Sequence, residues 1–267
     1  MSSVNRVFFY FKELGIMNTL RFILNKYFIK RLSNSKIYLH LLAGKNGLEI
    51  GGPSNYFNED NILPIYTVIS GLDGVNFSTS TIWEGLLTEG ETFSYDNFKR
   101  SGHQYICDAV DLSMIPSGKY DFVVSCNNLE HIANPLKAMN EWIRVTKSDG
   151  LVFLVLPNKR INFDYRRSVT SFDHLLSDYS SDMKEDDMTH IDEILKTHNL
   201  ILDPLAGSLE KFRERALKNY ENRALHHHVF DLSLLKYIYN YLNIDIITTE
   251  STITDHYILG RKRKSGN

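Results

Sequence analysis

Residues 47–57, G-L-E-I-G-G-P-S-N-Y-F, constrain this chain more than any other stretch. Leu48 and Ile50 flank one carboxylate, Glu49, and the run stops at Gly51-Gly52-Pro53-Ser54. A parallel β-strand ends this way when the chain must turn tightly beneath a nucleotide-like ligand. Glycine lacks a Cβ, so it adopts positive φ and lets the backbone approach closely. A Gly-Gly-Pro after an apolar pair is also a common plain turn. The G-x-G-x-x-G spacing of dinucleotide-binding turns is absent. The rest of the chain decides between the two.

From Lys45 onward, short apolar runs alternate with helical patterns, the texture of an α/β domain. Strands are predicted at 47–50, 64–69, 105–107, 121–126 and 151–156. The last two, D-F-V-V-S-C and L-V-F-L-V-L, are continuous apolar runs, as parallel strands buried on both faces require. Between them, 135–146 has helical spacing (Leu136, Met139, Trp142, Ile143) and a stop at Ser148-Asp149-Gly150. Residues 74–103 are polar and turn-rich and read as an insertion with little regular structure. Residues 158–228 are strongly charged, with helices expected at 174–179, 189–198 and 209–225. They read as a cap over the carboxyl edge of the sheet. A helix at 232–242 and an antiparallel pair at 244–249 and 256–260 close the chain.

Residues 1–44 are aromatic, aliphatic and basic, with seven lysines and arginines between Arg6 and Lys36 facing one acid, Glu13. Helical spacing of Leu20, Ile23, Leu24, Tyr27 and Phe28 predicts a helical lid with a solvated cationic face. Peripheral contact of that face with an anionic membrane stays open. No apolar run reaches the roughly 18 residues of a membrane span, and no signal-peptide pattern is read at residues 1–10. A net charge of −2 gives no basic field for nucleic acid. Cys107 and Cys126, both in strand-like runs, read as reduced core thiols, which implies a cytoplasmic setting. The expected architecture is a Rossmann-like, mostly parallel seven-stranded sheet with an antiparallel terminal hairpin. To it are added the lid at 1–44 and, within a domain spanning 45–267, the cap at about 158–228.

Set side by side, the strand ends form one pattern. Glu49-x-Gly51-Gly52 follows the first, Asp73 the second, and Cys107-Asp108-Ala109 ends the third. The fourth runs into Asn127-Asn128-Leu129-Glu130-His131-Ile132. This resembles the class I S-adenosylmethionine-dependent methyltransferases, in particular the small-molecule group related to the ubiquinone-type enzymes. The likeness covers residues 45–160 and 229–260, and L-E-H-I is its most specific element. It implies S-adenosylmethionine as cofactor. Gly51 and Gly52 would pass close to the methionine part, with Glu49 ordering its amino and carboxylate groups. Asp73 would accept from the ribose hydroxyls and Asp108 from the adenine amino group, with Ala109 packed on the ring. Asn127 and Asn128 would line the methyl-transfer side. Pro53 stands where relatives more often carry glycine.

For a hydroxyl acceptor a general base beside the donor helps, and His131 is the first candidate. A histidine that merely orients the loop is the equal alternative. Arg166 and Arg167 suit a phosphate, phosphoramidate or carboxylate on the acceptor, or pair with nearby acids. His190 follows a helix start rich in acids and is a further substrate-side candidate. In the triplet His226-His227-His228, an extended chain puts His226 and His228 on one face. Those two are expected to touch substrate. Extended neighbours cannot all ligate one ion from one face, so no metal is expected.

These readings predict a methyltransferase, monomeric or homodimeric, that O-methylates a sugar or sugar-linked intermediate in polysaccharide or natural-product assembly. One alternative acceptor is a phosphorylated, phosphoramidate or amine-bearing small molecule. An alternative of another class is a non-catalytic Rossmann-like scaffold.

Overall fold

The computed structural model describes residues 31–264, together with 7–12, 15–17 and 19–20. Of the expected lid at 1–44, residues 1–6, 13–14, 18 and 21–30, with the helix-spaced Ile23, Leu24, Tyr27 and Phe28, lie outside the described residues. Within them, helix α1 (Ser35–Leu42) leads into strand β1 (Asn46–Ile50). A 3-10 turn (Ile65–Thr67) precedes β2 (Gly71–Asn76), and a small hairpin follows, β3 (Ser80–Thr81) and β4 (Gly85–Leu86). Then come β5 (Gly90–Tyr95), β6 (Arg100–Ile106), β7 (Tyr120–Cys126), α2 (Pro135–Val145) and β8 (Thr146–Pro157). Residues 158–228 hold α3 (Phe172–Ser180), α4 (Ile191–Thr197), α5 (Leu209–Leu217) and α6 (Asn219–Asn222). The chain ends with α7 (Leu232–Tyr241), β9 (Ile244–Ser251) and β10 (Asp255–Lys262).

The main sheet has the order β5-β6-β2-β1-β7-β8-β10-β9. Neighbours from β6 to β8 run parallel, while β5 at one edge and β10 with β9 at the other run antiparallel. Strand order therefore reverses between β1 and β7, which creates a crevice at their carboxyl ends.

Alternation along β7 and β8 builds a core on both faces. Val123, Val152 and Leu154 pack with Met139 and Trp142 of α2 and Leu235 and Tyr239 of α7. Phe122, Phe153 and Val155 point the other way, onto Tyr38 and Leu42 of α1 and onto Phe57 and Tyr66. Each such fully buried side chain contributes roughly 1.5–3 kcal/mol. Helix α2 begins where its sequence says it should. The Asn134 side chain accepts from Lys137 N at 3.1 Å and Pro135 fills the first turn. Both cysteines are free thiols.

Three expectations are corrected. The second strand is not 64–69 but Gly71–Asn76. Residues 63–69 are apolar because Leu63, Ile65, Tyr66 and Ile69 bury themselves under the sheet as a turn. The true strand, G-L-D-G-V-N, hides its apolar signal behind glycines. A Cβ on Gly74 would lie 2.1 Å from the Phe93 ring, so that position cannot carry one. Residues 74–103 are not largely irregular: they supply β3, β4 and β5, and β5 makes the sheet eight-stranded rather than seven-stranded. The helix expected over 209–225 breaks at Lys218 and ends at Arg223, whose φ is 52°.

Candidate active site

A cavity of about 640 Å³ occupies the crevice at the switch point, within the usual range for small-molecule sites. Its sheet wall is made by Ile50 ending β1 and Gly51 after it, Val75 and Asn76 ending β2, Cys107, Asp108 and Ala109 after β6, and Cys126 ending β7 with Asn127 and Asn128 after it. The β3–β4 hairpin adds Ile82 and Trp83. Residues 158–228 add Asn162, Phe163, Leu205, Arg223 and His226.

Gly51 does what the sequence asks of it. Its φ is +78°, and a Cβ there would sit 2.3 Å from Asn128 Nδ2. Glu49 and Gly52 stand one layer behind the wall and do not line the cavity. The Glu49 carboxylate is fully buried and accepts from Ser54 N at 3.0 Å and Tyr66 OH at 2.6 Å, fixing the glycine turn from below. Burial pushes its pKa up to about 7, against the lowering effect of the Tyr66 and Ser54 hydrogen bonds. Asn76 Nδ2 donates to Gly52 O at 2.9 Å and holds the same turn from the side.

Asp108 lines the cavity, but it is not a free carboxylate. Its Oδ2 is 3.0 Å from Nη2 of Arg223, and its Oδ1 accepts from Val110 N at 3.1 Å. Ala109 is pinned through its carbonyl, which accepts from Trp142 Nε1 at 3.0 Å. Asn127 (φ 49°) and Asn128 both line the cavity, and their Oδ1 atoms are buried without hydrogen-bond partners.

Glu130, His131 and His226 converge on the opposite side, each offering one ligand-type atom within 4.8 Å of the others. The His131 Nδ1 lies 3.0 Å from the Leu225 carbonyl. A carbonyl only accepts, so Nδ1 carries the hydrogen and Nε2 the lone pair. Burial, and then the neighbouring His226, holds the His131 pKa well below the ordinary histidine value. The His226 ring lies 4.5 Å from that of His131, and its Nδ1 is 2.5 Å from Asp164 Oδ2. Burial opposes a charge on His226, but Asp164 and Glu130 outweigh it and raise its pKa. Glu130 is 2% exposed, neither of its carboxylate oxygens has a hydrogen-bond partner, and burial raises its pKa to about 7.

Several expected site residues lie elsewhere. Asp73 is in mid-strand, because β2 starts only at Gly71. Its Oδ2 accepts from Tyr120 OH at 2.5 Å and Lys119 Nζ at 3.2 Å, and its Oδ1 from His103 N at 2.9 Å, all away from the cavity. The strand end that reaches the cavity carries Asn76. Arg166 is exposed and stacks its guanidinium over the Tyr165 ring at 5.1 Å. Arg167 is buried and bonds the carbonyls of His226 at 2.7 Å and His227 at 2.9 Å, with Asp164 Oδ1 at 3.2 Å. It shapes the triplet's backbone rather than meeting an acceptor. The triplet itself divides. His226 faces the cavity, His227 Nε2 meets Asn219 Nδ2 at 3.0 Å, and His228 joins His174 and His190 in a separate cluster. Asn76, Trp83, Glu130, Phe163 and Arg223 are cavity residues the sequence reading did not single out. Glu130 alone had a signal, its place inside L-E-H-I.

These residues fit S-adenosylmethionine. Gly51 leaves backbone space that a side chain would fill, and Asn127 and Asn128 present unpartnered buried acceptors suited to an ammonium group.

A methyltransferase domain family matches residues 24–231. Among solved structures, the chain is similar to a SAM-dependent methyltransferase from Aquifex aeolicus at 11% identity (TM-score 0.45, 86% of this chain and 89% of that one). It is also similar to N-methyltransferase NodS from Bradyrhizobium japonicum in complex with S-adenosylhomocysteine at 12% identity (TM-score 0.44, 86% of each chain). A third similar structure is the YcgJ protein of Bacillus subtilis at 14% identity (TM-score 0.41, 87% of this chain and 99% of that one). No curated protein matches. The matched domain spans most of the chain, including β1, the switch-point crevice and residues 158–228, and on that basis the chain belongs to the methyltransferase domain family and is a class I S-adenosylmethionine-dependent methyltransferase.

Proposed function

We propose that this methyltransferase O-methylates a neutral polar acceptor, a sugar or sugar-linked intermediate of polysaccharide or natural-product assembly, in the cytoplasm. The observation that carries the reading is His131, a neutral imidazole whose Nδ1–H is held by the Leu225 carbonyl. Its remaining lone pair sits among cavity residues beside the end of β7. When bound, S-adenosylmethionine supplies an already activated methyl group, so the protein's task is alignment and removal of the acceptor's proton. His131 Nε2 takes that proton from the acceptor hydroxyl. His226, charged against Asp164 and Glu130, disfavours a second positive charge beside it, so His131 stays neutral until the acceptor's proton arrives. Gly51, Asn127, Asn128, Asp108 and Ala109 hold the donor, and Asn76 takes the strand-end place expected of Asp73. Glu49 and Gly52 act by holding the turn.

Residues 158–228 serve as the cap that closes over the acceptor, with Phe163 and His226 as its contacts, and residues 1–44 serve as the lid. Arg223 is the one guanidinium on the cavity wall among the described residues, and it is engaged by both Asp108 and Glu185. That leaves little free positive charge for a phosphorylated acceptor and favours a hydroxyl. The test is formation of S-adenosylhomocysteine with a panel of hydroxylated, aminated and phosphorylated sugars. Methyl ether products support the reading. Methylated nitrogen as the sole product, or S-adenosylmethionine binding without turnover on any acceptor, overturns it.

A further inference from the structure

A second cluster of histidines lies outside the cavity, built by three separate segments. Helix α3 is capped by Ser171, whose hydroxyl accepts from His174 N, and it carries His174 and Asp178 one turn apart on one face. His190 stands at the start of α4, and His228 is the last residue of the triplet, in the non-helical segment before α7. One nitrogen of each of His174, His190 and His228 lies within 4.8 Å of the other two. The His174 Nε2 is 3.2 Å from the His190 Nε2 and 3.3 Å from Asp178 Oδ2, and the His228 ring lies beside that same oxygen, its outer Nε2 3.7 Å away. Ligands around tetrahedral zinc, with bonds of about 2.0–2.1 Å, stand roughly 3.3–3.4 Å apart.

The protein does not satisfy this cluster by itself. The His174 and His190 nitrogens can share one hydrogen, but the others are left over. Asp178 Oδ2 and His228 Nδ1 are buried and have no hydrogen-bond partner, in side chains only 5% and 1% exposed. Buried polar atoms without partners are destabilising, and a carboxylate more so than an imidazole. The His228 Nε2 lies 3.1 Å from the Ala133 carbonyl. That bond puts the hydrogen on Nε2 and the lone pair on Nδ1, the outer support that metal-binding imidazoles carry. The His174 side chain is 38% exposed and gives an ion a way in.

We propose that His174, Asp178, His190 and His228 form a four-ligand site for zinc or a similar divalent transition metal. Four protein ligands close the coordination sphere, so the ion is structural. None of the four lines the catalytic cavity. The ion ties α3 and the start of α4 to the segment carrying His226, and so sets the position of the wall that His226 gives to the cavity. The site takes only one member of the triplet, which is why three adjacent histidines did not reveal it.

The test is metal content and Co²⁺ spectroscopy on the full-length protein. After exposure to Zn²⁺ and dialysis, the wild type should retain close to one equivalent. Co²⁺ should give the intense visible bands of a tetrahedral site. H174A and D178N should each weaken binding more than about 100-fold, since loss of outer-shell partners alone weakens it roughly 10–100-fold. H131A should bind as the wild type does. A chelator should lower the melting temperature of the wild type and leave that of D178N unchanged, which reads the site even where H174A folds poorly. No retained Zn²⁺ or Co²⁺ in the wild type overturns the proposal. So does binding lost in H131A and kept in D178N, which would put the ion on Glu130, His131 and His226.

Discussion

Arg223 and Asp108 join two parts of the chain that are distant in sequence: Nη2 of the arginine lies 3.0 Å from Oδ2 of the aspartate, and both line the cavity. The other arm of the same guanidinium, Nη1, is 2.8 Å from Oε2 of Glu185, which is 6% exposed. The left-handed turn at Arg223 aims the side chain back over the Phe77 ring, 5.1 Å away, toward the strand ends. One side chain thus fastens residues 158–228 to the loop after β6.

Replacing Arg223 by alanine should destabilise the protein by roughly 2–3 kcal/mol, because Glu185 is left buried without its cation. Burial already raises the Glu185 pKa, and Arg223 counters part of that rise. R223K should recover only part of the loss, since one ammonium cannot span two carboxylates as a guanidinium does. Urea denaturation of the three proteins checks this. Equal midpoints for R223A and wild type would show that the contact carries no stability.

His131→Ala should lower kcat by about 10²–10⁴-fold, the range of general-base assistance, with S-adenosylmethionine affinity little changed. Because burial and His226 depress the His131 pKa, the imidazole is already unprotonated at neutral pH. The acid limb of the kcat profile should therefore fall below pH 6.5, with no loss of rate on going from about pH 8 to pH 7. An acid limb above 6.5 that survives in H131A would assign the base role to another group.

The parts of the fold that the sequence made legible share one property, burial on both faces. Residues 121–126 and 151–156 had to be apolar throughout, and they became β7 and β8 with their alternate side chains on opposite cores. Strand β2 was hidden because Gly71 and Gly74 are small for packing reasons and Asp73 is polar within it. The apolar run just before it is a buried turn. The error then passed to the site: an acid close to the wrong strand end was expected at the cavity, where Asn76 stands. Gly51, Asp108, Asn127, Asn128 and His131 reach the cavity because they follow strand ends that local pattern identifies. Arg223, Phe163 and the parting of the histidine triplet depend on how residues 158–228 fold back, which no local periodicity encodes.

Asp203 gives a pH test of the fold of residues 158–228. Burial would raise its pKa, but hydrogen bonds from His198 and Arg215 outweigh it and lower it to about 2. A depressed carboxylate stabilises the fold above its unfolded pKa, near 3.8, and that contribution disappears as pH falls through the folded value. Asp203→Asn keeps an acceptor for Ala206 N and removes the charge. It should cost roughly 1–2 kcal/mol at about pH 7. The difference in melting temperature between the two proteins should hold steady down to about pH 4.5 and shrink below 3.8. A gap that widens on acidification would contradict the assignment.

The glycine turn offers the sharpest test of the donor site. At φ +78° an alanine pays about 1–2 kcal/mol for the left-handed conformation alone. Its methyl group would also stand 2.3 Å from Asn128 Nδ2 and 2.8 Å from Asn128 Cγ, so the Asn128 side chain must swing away. That movement removes the buried Oδ1 acceptor from the donor side of the cavity, while the Glu49–Tyr66–Ser54 network beneath the turn stays in place. Gly51→Ala should therefore fold, with a modestly lowered melting temperature, and lose S-adenosylmethionine affinity by at least about tenfold, the equivalent of one hydrogen bond to a charged group. Calorimetric titration together with circular dichroism separates the two effects. A folded G51A protein with wild-type affinity would remove the glycine turn from the donor site.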